Sequence, residues 1–222
     1  MNSRSRTDDA AVPLPALGDG VRIVRGVRMA EVTTFRLGGP CRALVECPDA
    51  ASLTRTVVAL RAAGLPPLLI GGGSNLLVSD DGFDGIVVRH ATDTPAFRRD
   101  GEEIVAPAAA SLDALAAFAV IEGLDGLLFA SGIPGTVGGA VAGNAGAFGE
   151  DVAGRLVSVT VLDPDGRVRE KDPSHFRFAY RHSEIPGQQA IVVETRFRLA
   201  AGDRAALQAE REIGRASCRA RV

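Results

Sequence analysis

Two glycine-dense stretches contain the residues of this sequence whose types and spacing could do chemistry. Residues 123–149, GLDGLLFASGIPGTVGGAVAGNAGAFG, hold nine of the chain's 26 glycines, where average usage would place about two. Residues 70–78, IGGGSNLLV, set three consecutive glycines after an apolar run and follow them with Ser74 and Asn75. Glycine admits positive φ and lets another backbone or a ligand approach closely. Successive N–H groups freed in this way form a concavity suited to phosphate oxygens. Ser74 and Asn75 add short side chains that can cap a turn or bond a ligand. Two such loops at two strand ends suggest one extended ligand held through a pyrophosphate. The competing reading is tight backbone packing with no ligand.

General-purpose signatures do not account for either stretch. Gly132, Gly135, Gly138 and Gly139 are spaced G-x-x-G-x-x-G-G, unlike the G-x-G-x-x-G of a dinucleotide-binding turn, and neither loop carries the lysine of a P-loop. Ser74 has a glycine two residues before it but Leu76 two residues after, so a hydrolase nucleophile elbow also fails.

Four segments in order, TTFRLGG at 33–39, IGGGSNLLVSDDGFDGIVV at 70–88, GLLFASGIPGTVGGAVAGNAGAFGE at 126–150 and FAYRHS at 178–183, resemble the UDP-N-acetylenolpyruvoylglucosamine reductase (UDP-N-acetylmuramate dehydrogenase) family. The likeness runs over roughly residues 20–200. Any one segment alone would also suit other flavoproteins of the vanillyl-alcohol-oxidase type, and a different FAD-dependent oxidase on that fold is the alternative reading.

The resemblance implies an α+β, two-subdomain FAD-binding fold of the vanillyl-alcohol-oxidase type. The polar, arginine-bearing start, broken by Pro13 and Pro15, reads as a disordered leader over 1–20, and the implied divisions after it are FAD-binding subdomains over 21–95 and 96–200 and a stub or unnatural tail over 201–222. FAD is the implied cofactor and NADPH the implied co-substrate. NADPH would reduce the flavin, which would pass hydride to the vinyl carbon of UDP-N-acetylglucosamine enolpyruvate, giving UDP-N-acetylmuramate, a peptidoglycan precursor. Implied cofactor contacts are Gly71, Gly72, Gly73, Ser74, Asn75, Leu76, Gly132, Ile133, Gly135, Thr136, Gly138, Gly139, Asn144 and Gly146. Arg181 matches the family's Y-R-x-S arginine, a fixed cation that would stabilise charge developing near the enolpyruvyl carboxylate. Tyr180 would help hold that substrate. An arginine read without the family is ordinarily a solvated or salt-bridged side chain.

The family's proton-donor serine and an assisting glutamate belong to a third, C-terminal domain. The only look-alike here is GNAGAF at 143–148, with Ala147 where a serine would stand. The expectation is therefore a fragment that binds FAD without completing the reaction, with an ending, GRASCRARV, that reads as an unnatural terminus.

Positioning the two loops requires strands and helices around them. Residues 21–37 read as short extended pieces, and 41–47 as a strand. Asp49 is the expected N-cap of a helix carrying Leu53, Val57 and Leu60 and stopped by Gly64. A strand at 68–71 leads into the first loop, residues 86–89 form another strand, and 91–99 read as a connector. A second unit begins near Asp100 with a strand over 103–109. Ser111 caps a helix bearing Leu112, Leu115, Ala116 and Ala119, which ends at Gly123. After the glycine stretch come a hairpin turning at 163–166 and a strand over 190–199. Strands outnumber helices, which favours α+β over a doubly wound sheet.

The 222 residues are 46% apolar and 23% charged, with a net charge of −2. That balance offers no electrostatic reason to expect nucleic acid or a membrane surface. Cys41, Cys47 and Cys218 are too few for a disulfide framework, and His90, His175 and His182 lack metal-ligand spacing. A cytoplasmic monomer with no metal is the expectation.

Overall fold

The computed structural model describes residues 13–92 and 96–219. Two sheets dominate it, and each glycine loop is inserted between two strands of one of them.

The first sheet is built from β1 (Arg22–Arg25), β2 (Cys41–Cys47), β3 (Leu68–Ile70) and β4 (Phe83–His90), in the order β1-β2-β4-β3. β2, β4 and β3 run parallel, and β1 closes the edge antiparallel. Ala43, Leu44 and Val45 are successive buried residues of β2, as expected of a parallel strand covered on both faces. Helix α1 (Ala50–Ala62) makes the parallel crossover. Asp49 caps it, with Oδ1 accepting from the Ser52 N–H at 2.7 Å, and Leu53, Val57 and Leu60 are fully buried against Val45 and Val88. Gly64, at φ +71, ends it.

The second sheet is antiparallel throughout. It comprises β5 (Arg98–Asp100), β6 (Glu103–Pro107), β10 (Leu156–Leu162), β11 (Val168–Lys171) and β12 (Ile191–Arg198), in the order β11-β10-β12-β6-β5. Between β6 and β10 lie α2 (Leu112–Ile121), β7 (Leu124–Asp125), α3 (Val137–Ala142), β8 (Gly146–Ala147) and β9 (Glu150–Asp151). Ser111 caps α2, its Oγ accepting from the Ala114 N–H at 3.3 Å, and Leu112, Leu115, Ala116 and Ala119 face the core. After β12 come β13 (Ala200–Ala201), which pairs with β7, and α4 (Arg204–Arg219), capped by Asp203. The fold is thus α+β.

Leu162, Ile191 and Val193 of the second sheet pack into the same apolar cluster as α1, so the two sheets share a core. Leu14 and Leu17, inside the expected leader, pack against this cluster too. Residues 1–12 of that leader lie outside the described residues.

Two local expectations are corrected. Residues 21–37 hold a single short strand and a 3-10 turn at Met29–Glu31 rather than a run of extended pieces. The connector expected over 91–99 ends earlier: Arg98 and Arg99 belong to β5, an exposed edge strand folded back on β6 by Gly101 at φ +62. Its residues 93–95 lie outside the described residues.

Candidate functional site

The two glycine loops meet. A Cβ added to Gly71 would lie 2.4 Å from Thr136 Oγ1, and one on Gly72 would lie 3.6 Å from Gly135 Cα. Ser74 Oγ donates to the Pro134 carbonyl at 3.2 Å. Gly73, at φ +63, turns the first loop under the Val32–Thr34 segment, where the Thr34 N–H bonds the Gly73 carbonyl at 3.0 Å. A methyl at Gly73 would meet the Val32 carbonyl at 2.1 Å, so only glycine closes that approach.

Thr136 owes its position to α3, a helix with two glycines in six residues. The Thr136 hydroxyl caps it by accepting from the Gly139 N–H, while the Val137 and Gly138 N–H groups bond the Ala110 and Ala108 carbonyls at 2.8 and 2.9 Å. The first turn of α3 is therefore satisfied by protein. By contrast, among the described residues the N–H groups of Gly72, Ser74, Asn75, Gly135 and Thr136 have no acceptor in the chain. Gly72 and Asn75 are exposed. Unpaired donors along a glycine-lined groove are the chemistry of an anion cradle.

The cradle opens beside a cavity of about 370 Å³ lined by Leu53, Arg61, Leu68, His90, Thr136 and Ile191, among others. Arg61 crosses it from α1, donating to the Asp163 carbonyl at 3.3 Å and the Gln189 carbonyl at 2.7 Å. Burial pulls the Arg61 guanidinium below its ordinary pKa. Burial likewise lowers the pKa of His90, opposed by the Asp49 charge, and its Nδ1 has no partner among the described residues. Neither Arg61 nor His90 stands in a sequence pattern that points to a site, since each reaches the cavity only through tertiary packing.

Other expected residues take different places. Leu76 and Ile133 turn their side chains onto apolar clusters, leaving only backbone for a ligand. Gly146 sits in the β8–β9 ladder, where a Cβ would lie 2.3 Å from the Glu150 carbonyl. Asn144 is 2% exposed at φ +46. Its Nδ2 donates to Asp151 Oδ2 at 3.0 Å and to the Ala179 carbonyl at 2.8 Å, and its Oδ1 accepts from the Ala153 N–H at 3.2 Å.

That Ala179 bond ties the glycine stretch to the turn carrying Tyr180 and Arg181. Reciprocal 3.0 Å bonds between Ala179 and His182 close the turn. Ser183 Oγ anchors its far side by donating to the Ala142 carbonyl at 2.6 Å. Tyr180 is 89% exposed, and the Arg181 guanidinium lies 5.9 Å from its ring centroid. Among the described residues, no hydrogen bond or ion pair joins the Tyr180 or Arg181 side chain to the two glycine loops.

Comparison with known proteins shows the family to which the chain belongs. The FAD binding domain family matches residues 41–171. A solved UDP-N-acetylenolpyruvylglucosamine reductase from Thermus caldophilus aligns with a TM-score of 0.76 and 31% identity, over 89% of this chain and 69% of that one. The chain belongs to the UDP-N-acetylenolpyruvoylglucosamine reductase family. A family member from Nocardia farcinica is 47% identical over 79% of this chain and 46% of its own length, and one from Heliobacterium modesticaldum 41% identical over 81% and 57%. The chain spans about half the length of these curated relatives. A BBE-like 1 protein from Physcomitrella patens, 19% identical with a TM-score of 0.57, shares the fold.

FAD is thus the cofactor of this domain, and the residues present fit it. The unpaired amides of the two loops suit its diphosphate, and the adjoining apolar cavity with a few polar groups suits a largely flat aromatic molecule. No helix among the described residues is long and apolar enough to cross a membrane.

Proposed function

We propose that this chain supplies the FAD site of a cytoplasmic, monomeric reductase. The reductase would use NADPH to convert UDP-N-acetylglucosamine enolpyruvate to UDP-N-acetylmuramate for peptidoglycan synthesis. The observation that carries the reading is the meeting of two glycine loops, with amides of Gly72, Ser74, Asn75, Gly135 and Thr136 left for a ligand. Bound FAD supplies hydride transfer that no protein side chain provides.

The residues of the chain divide the remaining work. The loop amides hold the diphosphate, and the glycines keep the backbone close enough to do so. Asn144 and Ser183 hold the Tyr180–Arg181 turn against the glycine stretch. Arg181 offers a cation at the tip of that turn, toward the enolpyruvyl carboxylate, and Tyr180 packs beside it. Proton delivery to the reduced substrate is assigned to residues of the relatives' further length, because GNAGAF at 143–148 carries Ala147 in place of a hydroxyl.

The test uses protein of the relatives' full length containing these residues. NADPH oxidation that starts on adding UDP-N-acetylglucosamine enolpyruvate, with the muramate product recovered, is the expected result. Oxygen-dependent alcohol oxidation without response to the UDP-sugar would overturn it in favour of an FAD oxidase of the same fold.

A further inference from the structure

We propose that Arg211 of α4 is a positioning residue for the second glycine loop, acting through Asp113 on the backbone of Gly132. Arg211 is only 8% exposed, although it stands on an otherwise polar helix. Its Nη2 donates to Asp113 Oδ1 at 2.7 Å and to the Asp113 carbonyl at 3.2 Å. The same Oδ1 accepts the Gly132 N–H at 2.9 Å. Arg215, one turn further along α4, brings a second cation to within 3.9 Å of Asp113 Oδ2.

The carboxylate is thus clamped between α4 and the loop. Asp113 lies in the first turn of α2, and the adjacent Leu112 N–H bonds the Gly135 carbonyl at 3.0 Å, so α2 grips the loop at two glycines. Gly132, at φ +81, is a point where the loop backbone has many alternatives, and a charge-assisted bond donated by its N–H to a fixed carboxylate selects one. Removing the guanidinium leaves Asp113 only the longer Arg215 contact at Oδ2, so the carboxylate is free to turn toward Arg215 or water and the Gly132 amide loses its fixed acceptor. Leu207, buried one turn earlier, already supplies the apolar attachment of α4, so the buried arginine is not needed for docking alone.

This inference rests on the FAD reading for its functional consequence, so the experiment has one arm without FAD. Amide hydrogen exchange of Gly132 is measured in the apoprotein, and FAD dissociation by flavin fluorescence, for wild type, Arg211→Met, Arg211→Lys and Gln208→Ala. The expected result for Arg211→Met is Gly132 exchange faster by about tenfold and FAD binding weaker by about tenfold, with α4 amides around Leu207 unchanged. Arg211→Lys should recover part of both, and Gln208→Ala, on the exposed side of α4, should change neither. Gly132 exchange and FAD binding within twofold of wild type in Arg211→Met would overturn the proposal. If that variant does not fold, Arg211→Lys is read by the same two quantities against the same limit. Wild-type protein that takes up no FAD would count against the cofactor reading, and Gly132 exchange alone would then decide this one.

Discussion

The Ser74 hydroxyl donates to the Pro134 carbonyl at 3.2 Å, joining two glycine loops that lie 60 positions apart in sequence. One loop joins β3 to β4 of the first sheet and the other lies between β6 and β10 of the second, and the bond marks where they meet in one backbone-lined groove. The consequences of changing a glycine there depend on what its missing side chain faces.

At Gly72 a methyl would meet nothing closer than Gly135 Cα at 3.6 Å, an ordinary contact. Gly72→Ala should therefore fold with stability within about 1 kcal/mol of wild type, while FAD binding weakens by about tenfold or more because the methyl stands in the groove. At Gly71 the methyl would lie 2.4 Å from Thr136 Oγ1. Gly71→Ala should lose about 1–3 kcal/mol of stability as well as FAD. Urea unfolding and flavin titration of the two variants separate the cases.

Much of this arrangement was legible in the sequence because its signals are local. Asp49 and Ser111 are caps with an acceptor three residues before an amide, and Leu53, Val57 and Leu60 repeat at the helical period. What escaped was non-local or locally disfavoured. Helix α3 contains Gly138 and Gly139, poor helix formers, and forms because its first amides bond carbonyls of Ala108 and Ala110 from a distant segment. Strand β5 is wholly exposed and carries no apolar alternation. Arg61 reaches partners 102 and 128 positions away, and no spacing rule reports that.

Asn144 serves the fold with three hydrogen bonds from one buried amide. Asn144→Ala should destabilise the protein by about 2–4 kcal/mol, because one buried side chain's bonds to the Asp151 carboxylate, the Ala179 carbonyl and the Ala153 N–H are lost together. Denaturant midpoints provide the measurement. Asn144→Asp, which keeps the size but not the donors, should cost a comparable amount.

Arg181 is exposed at a turn tip, so its replacement should leave folding nearly untouched. In protein of the relatives' full length, Arg181→Gln is expected to lower kcat by about 10²-fold, with FAD affinity and melting temperature unchanged. Steady-state kinetics with the enolpyruvyl substrate would show this. An unchanged kcat would remove Arg181 from the chemistry.

Burial lowers the pKa of His90 from its ordinary 6.5. The unfolded chain then binds a proton at higher pH than the folded one, so acid favours unfolding. Above about pH 6.5 both states are neutral and the residue contributes no pH dependence. As pH falls through 6.5 toward the folded-state value, stability should drop, and His90→Asn should flatten that segment of the curve. Thermal melts at pH 7.5 and 5.5 for both proteins carry the test.

The central claim is that these two loops form an FAD cradle, and the most direct measurement is the visible absorption spectrum of the purified chain dialysed against FAD, with released cofactor identified by chromatography. Flavin bands at close to one FAD per chain are expected in wild type, sharply reduced in folded Gly72→Ala. Folded, soluble wild-type protein without flavin bands, or equal flavin content in the two proteins, would contradict it.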